Sequence, residues 1–152
     1  MAEQSPEDTH SCRIRVRYAE CDPMNVAHHA SYVAWFELAR TEMLRDTGVP
    51  YAEIERGGVL LMVSAMEIRY RKPVRYDDLV EIRTRVASSG RASITHGYEL
   101  FVVGGGRDSP AAEASITLAC CDAQGRPRRL PEALSSSVGA GPASRTGPKR
   151  VL

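Results

Sequence analysis

The sequence predicts an α+β fold, a single domain in which a five-stranded antiparallel sheet wraps around one long helix. Three observations carry this. Only one stretch repeats apolar residues at helical spacing, whereas five stretches alternate apolar and polar residues at period two. The last four of these are joined by short connectors of turn residues, which makes them antiparallel neighbours. With 152 residues, 43% hydrophobic and 26% charged, the chain has the size and composition of one globular domain.

The elements follow in order. Residues 13–19 set Arg13, Arg15 and Arg17 against Ile14, Val16 and Tyr18, which reads as a strand. A loop over residues 20–29 contains Pro23 and Asn25. From 30 to 46, Tyr32, Phe36, Ala39 and Met43 recur at steps of four, three and four and make one face of a helix, which Gly48 and Pro50 stop. Next, Leu60, Met62, Met66, Ile68 and Tyr70 share one parity, with Glu67, Arg69 and Arg71 on the other. Val80, Ile82, Thr84 and Val86 alternate with Glu81, Arg83 and Arg85. Ile94, His96, Tyr98, Leu100 and Val102 form another run, and Ala112, Ala114, Ile116, Leu118 and Cys120 the last. Lys72-Pro73, Ser89-Gly90, Gly104-Gly105-Gly106 and Gly125 supply the turns. Each strand has one apolar face, and the single helix is the element able to cover it. The outer edge strands are left exposed, and pairing with a second copy is the usual way to hide them.

The domain is expected over residues 13–131, between a flexible N-terminal tail (1–12) and a flexible C-terminal one (132–152). Residues 135–150 are mostly Ser, Gly, Ala and Pro with Val138 the one bulky apolar side chain, too little to offset the entropy of ordering. A formal net charge of +1 argues against nucleic-acid binding through bulk charge. Residues 59–66, the longest mainly apolar run, fall far short of the ~20 needed to span a membrane. The N-terminus is polar and acidic where a signal peptide is basic and then apolar. Cys12, Cys21, Cys120 and Cys121 form no C-x-x-C pair, so a reducing cytoplasm is the expected compartment.

The chemistry is expected in the loop Glu20-Cys21-Asp22-Pro23-Met24-Asn25-Val26-Ala27-His28-His29-Ala30-Ser31-Tyr32. It leads into the helix start, where unsatisfied N–H groups and the dipole can hold an anion or the oxyanion of an attacked carbonyl. A carboxylate, Asp22, beside such a site is the minimum needed to hydrolyse an activated acyl group. Taken singly, Asp22 also fits a turn before Pro23, and His28 and His29 fit ordinary polar residues at a helix start. A metal site from Cys21, Asp22, His28 and His29 matches no strong zinc spacing. His96, on an apolar strand face, reads as a hydrogen-bonded core histidine, and Met62 and Met66 as core or pocket wall.

The run from Tyr18 to Glu42 resembles the active-site segment of the 4-hydroxybenzoyl-CoA thioesterase family of hotdog-fold proteins, which includes acyl-CoA thioesterases associated with the Tol-Pal system. That pattern is a carboxylate, often Asp-Pro, then Gly-Val/Ile, a Tyr/His pair, a small residue, Asn/Ser and Tyr. Here it reads Asp22-Pro23, Met24-Asn25-Val26, His28-His29, Ala30, Ser31 and Tyr32. The likeness continues through Glu55-Arg56-Gly57, Tyr76-Asp77-Asp78-Leu79-Val80-Glu81-Ile82 and Gly125-Arg126-Pro127-Arg128-Arg129-Leu130-Pro131. It implies a hotdog fold, homodimers that commonly pair into homotetramers, and active sites at the subunit interface. It also implies Asp22 as catalytic nucleophile or base, the His29 N–H as carbonyl polariser with its imidazole assisting, and no cofactor. Asn25 stands where the family usually has Gly, and Asn is the next most tolerant residue for positive φ. His28 stands where Tyr or Trp is usual and makes the pocket mouth more polar.

By the same likeness His28 and Tyr32 are expected to bind substrate, and Leu61, Met62 and Ser64 to line its acyl pocket within a wall that runs from Leu60 to Ser64. Residues 69–91 hold seven basic against three acidic residues, net +4, and residues 124–132 three against one, net +2. Arg offers forked donors to phosphate. Arg91, Arg126 and Arg128 match positions near the family's nucleotide site, whereas Arg83 and Arg85 read as a solvated strand face. The expected reaction is acyl-CoA hydrolysis to acid and CoA. The alternatives are hydrolysis of acyl groups on an acyl carrier protein and non-catalytic CoA or acyl binding. Hotdog dehydratases are disfavoured, because their Asp–His spacing on a helix is absent.

Overall fold

A computed structural model describes residues 9–106, 108–135 and 150–151. In order, the elements are β1 (His10–Arg15), a 3-10 turn at Tyr18–Glu20, α1 (Ser31–Asp46), α2 (Tyr51–Arg56), β2 (Leu60–Tyr70), β3 (Leu79–Ser89), β4 (Ser93–Val102), β5 (Ala112–Cys121), α3 (Glu132–Ser135) and β6 (Arg150–Val151). The strands form one sheet in the order β2-β5-β4-β3-β1-β6, antiparallel apart from the short parallel β1–β6 pair. The predicted five antiparallel strands around a long helix are observed, with the two-residue β6 added in parallel beside β1.

α1 buries Tyr32, Trp35, Phe36, Ala39, Met43 and Leu44, the predicted face widened by Trp35 and Leu44. That face meets Ile14 of β1, Val80 and Ile82 of β3, Ile94 and Leu100 of β4 and Leu118 of β5 in one core. Burying a side chain such as Phe36 is worth roughly 1.5–3 kcal/mol against leaving it in water. Ala39, fully buried, keeps the middle of the helix narrow where it crosses the sheet. The outward face of the sheet is polar and paired. Arg13 and Arg83 flank Glu81 at 2.9 and 3.4 Å, Arg83 lies 4.5 Å over the Phe101 ring, and Arg85 lies across Gly97.

Three features differ from expectation. The parity expected for β2 breaks at a β-bulge between Val63 and Ala65, where one extra residue reverses the alternation. Leu61 and Val63 therefore share the helix-facing side with Met66, Ile68 and Tyr70, while Met62 turns outward. Secondly, the chain restarts as a helix directly after Pro50, whose fixed φ of −65° suits the approach to α2. Thirdly, regular structure reaches past residues 13 and 131. His10–Cys12 belong to β1 with Cys12 buried, and α3 buries Leu134. Apart from Thr9 and the β6 pair, the remainder of the two expected tails lies outside the described residues.

Candidate active site

The 20–30 loop is a pinched hairpin rather than an open excursion. The Asp22 N–H donates to the Val26 carbonyl at 2.9 Å, the His28 N–H to the Glu20 carbonyl at 2.8 Å, and Cys21 bridges Ala27 between them. At its tip Asn25 has φ 62°, the left-handed conformation that Asn tolerates better than other side-chain-bearing residues. The Asp22 carboxylate uses one oxygen, Oδ1, to accept the Met24 N–H at 2.9 Å, and Oδ2 has no partner among the described residues.

Glu20 anchors this hairpin to the helix. Its carboxylate accepts from the Arg17 N–H at 2.8 Å, from the Arg17 guanidinium at 2.8 and 3.1 Å and from Trp35 Nε1 at 3.0 Å. Its carbonyl also accepts the Ser31 hydroxyl. Partial burial would raise the Glu20 carboxyl, but these hydrogen bonds hold it below the usual carboxylate range. It stays ionised and structural. Burial, reinforced by the carboxylates of Glu20, Asp22 and Asp78, pushes the neighbouring Cys21 thiol up and keeps it protonated and weakly nucleophilic. Asp22 is thus the loop's candidate for attack or proton abstraction.

At the helix entry His28 and His29 stack at 4.0 Å between centroids, both exposed. His28 Nδ1 accepts the Ala30 N–H at 3.1 Å, and the His28 carbonyl accepts the Ser31 N–H at 2.9 Å. The His29 N–H has no acceptor among the described residues. It is therefore an available donor at the start of α1, where the helix dipole favours developing negative charge. Tyr32 is buried against Trp35 and meets Tyr70 edge-on at 5.0 Å, and burial pushes its phenol up to about 12. Among the described residues, no group of three or more His, Cys, Asp or Glu side chains is placed to hold a metal ion.

The other expected site residues lie elsewhere in the chain. Leu61, Met62 and Ser64 sit in the first half of β2, and the Ser64 hydroxyl donates to the Thr117 carbonyl at 3.2 Å. Arg91 and Arg128 lie at one corner of the sheet, because the Leu130 N–H donates to the Arg91 carbonyl and the Arg128 N–H to the Cys120 carbonyl. Arg126 at the same corner spends part of its guanidinium on Asp122 at 2.9 Å. His96 is buried, as expected of a core histidine, but its Nδ1 makes no hydrogen bond among the described residues. Burial, with the Arg40 cation nearby, pushes its pKa down to about 4, so the ring is neutral. A recess lined by Arg40, Met43, Leu44, Tyr51, Leu61 and His96 faces the C-terminal half of α1 rather than the Asp22 loop. Sequence reasoning did not single out Glu20 or Tyr70. Tyr70 donates its hydroxyl to the His29 carbonyl at 3.0 Å from 41 residues away, a contact no local pattern announces.

No helix among the described residues is long and apolar enough to cross a membrane, and all four cysteines are free. Compared with known proteins, residues 16–138 match the family described as the thioesterase-like superfamily. The chain is 33% identical over 122 residues to the acyl-CoA thioester hydrolase YbgC of Escherichia coli O157:H7, covering 80% of this chain and 89% of that protein. It is 35% identical over 103 residues to YneP of Bacillus subtilis (strain 168), covering 68% and 70%. Among solved structures, the DHNA-CoA thioesterase of Staphylococcus aureus superposes with a TM-score of 0.78 at 31% identity, covering 84% of this chain and 89% of that one.

Proposed function

The chain belongs to the thioesterase-like superfamily, and on that premise we propose that it hydrolyses acyl-CoA thioesters to the free carboxylic acid and CoA. The observation that carries the reading is the uncommitted His29 N–H at the start of α1, on the same pinched loop that presents Asp22. As the thioester carbonyl is attacked, its oxygen gains negative charge, and a preorganised N–H in place costs no rearrangement at that moment. Asp22 either takes a proton from the attacking water or attacks the carbonyl carbon itself to form an anhydride that water then cleaves. In both routes the C–S bond breaks and CoA leaves as the thiolate, which takes up a proton. The His29 imidazole stands beside the same position and assists.

Placement within the sheet supports a site shared between two subunits. The Asp22 loop touches β2 at Tyr70, its last residue, while Arg91 and Arg128 lie beside Cys120 and Cys121, which pair with Leu61 and Leu60 at its start. A strand of that length, 11 residues, runs roughly 33 Å, so in one chain the two groups are separated by about that distance. β2 is also an edge strand with an unpaired side, and Met62 and Val63 are 56% and 55% exposed along it. A two-fold partner pairing antiparallel along this edge brings the start of one β2 to the end of the other. The partner's Arg91 and Arg128 then reach the CoA phosphates, and the partner's Leu61 and Ser64 line the acyl pocket, with the outward-turned Met62 outside it. Dimers of this kind can pair further into tetramers.

The test is thiol release from a panel of short, long, branched and aromatic acyl-CoAs. Asp22→Asn is expected to lower kcat by roughly a hundredfold to ten-thousandfold, the range for positioned acid–base groups. Near wild-type turnover in that variant would remove Asp22 from the reaction. Faster turnover of the same acyl group on an acyl carrier protein would move the substrate to that carrier. Saturable CoA binding without thiol release would make the protein a binder.

A further inference from the structure

The geometry points to Tyr70 as a positioning residue that fixes the oxyanion donor from outside the catalytic loop. This rests on the reading of the His29 N–H as that donor, and adds a residue to it. Residue 29 is flanked by two peptide groups, which carry four polar atoms. The His28 carbonyl accepts the Ser31 N–H at 2.9 Å, the His29 carbonyl accepts the Tyr70 hydroxyl at 3.0 Å, and the Ala30 N–H donates to His28 Nδ1 at 3.1 Å. Three of the four are held. The fourth, the His29 N–H, is left to point at a ligand.

Two of the three restraints come from residues within two positions of His29 and would travel with the loop if it shifted. Tyr70 is different, because it ends β2 and is anchored in the sheet by its pairing with Ala112. Its ring stands edge-on to Tyr32 at 5.0 Å and 89°, so both the phenol and the first turn of α1 are held by one contact. Burial raises the Tyr70 phenol above its ordinary value, so the hydroxyl keeps the proton it donates. The peptide after His29 is thus clamped at both ends, by a side chain from the loop and one from the sheet. With the following peptide fixed and the preceding one held by the Ser31 N–H on the His28 carbonyl, rotation about the two backbone bonds of His29 is restricted from both sides, and its N–H is kept from swinging away from a developing oxyanion.

The experiment compares thiol release by wild type, Tyr70→Phe, His28→Ala and the double variant, using the best acyl-CoA of the panel, together with thermal melts. Tyr70→Phe keeps the ring against Tyr32 and removes the hydroxyl alone. It is expected to lower kcat roughly 3- to 30-fold, less than loss of a direct oxyanion donor, with KM within about twofold and an almost unchanged melting temperature. The double variant is expected to lose less than the product of the two single losses, since both side chains hold one peptide. A Tyr70→Phe enzyme with kcat within about twofold of wild type overturns the inference. So does a loss confined to KM, or one that multiplies independently with His28→Ala. A wild type that releases no thiol from any substrate overturns the hydrolase reading and this inference with it.

Discussion

The two ends of strand β2 hold different halves of one proposed chemistry. At the Tyr70 end lie the groups suited to bond breaking: Asp22, the free His29 N–H and the clamp around it. At the Leu60 end lie the groups suited to holding a substrate, Arg91 and Arg128 at the corner with the apolar side chain of Leu61 close by. One end gathers its hydrogen bonds around the His29 peptide, and the other presents cations and apolar surface. A single chain keeps them a whole strand apart, which is what gives the bare β2 edge its meaning. In the proposed dimer, this edge, otherwise an aggregation hazard, becomes the seam that completes two sites at once.

The largest effect is expected at the β2 edge itself. Val63→Glu combined with Met66→Glu places like charges across a two-fold edge, at positions 55% and 38% exposed in one chain, and a thermal melt checks that each chain still folds. The double variant is expected to sediment as a monomer and to lose roughly a hundredfold or more in kcat/KM, since each site loses its binding half. A monomer with wild-type turnover would mean that each chain holds a whole site. A smaller effect is expected at the binding end. Arg91→Ala with Arg128→Ala is expected to raise KM for acyl-CoA roughly tenfold and leave kcat nearly unchanged, one or two charge-assisted phosphate contacts being lost. The same pair of substitutions should not alter hydrolysis of a short thioester lacking the nucleotide. An equal rise in KM for that truncated substrate would place the arginines elsewhere in the reaction.

Much of the fold is legible in the sequence because burial writes itself as periodicity. The steps through Tyr32, Phe36, Ala39 and Met43 give α1 within a residue of its observed start. α2 and α3 leave no such trace. Each is a short helix with one buried side chain, Ile54 or Leu134, and neither is long enough to show a period. The bulge in β2 is equally silent, since Ser64 could sit on either face of an edge strand, and parity carried straight through it misassigns Met62. In the site, Asp22 and His29 stand out by resemblance, and Asn25 proves able to take the left-handed turn at φ 62°. Glu20 and Tyr70 could not be seen in advance, because their roles depend on Trp35 and on a strand end 41 residues away. The distance between the Asp22 loop and the Arg91–Arg128 corner becomes visible only once the sheet order is known.

The most direct test of a shared site mixes two crippled subunits. One carries Asp22→Asn and the other Arg91→Ala with Arg128→Ala, and thiol release is read at acyl-CoA well below KM after the two are unfolded and refolded together. At equal mixing, half of the dimers are hybrids, and each hybrid has one intact site of two, so recovery to about a quarter of wild-type activity is expected. Activity that stays at the mean of the two parent variants would contradict the account, because the carboxylate and the arginines would then have to serve from a single chain.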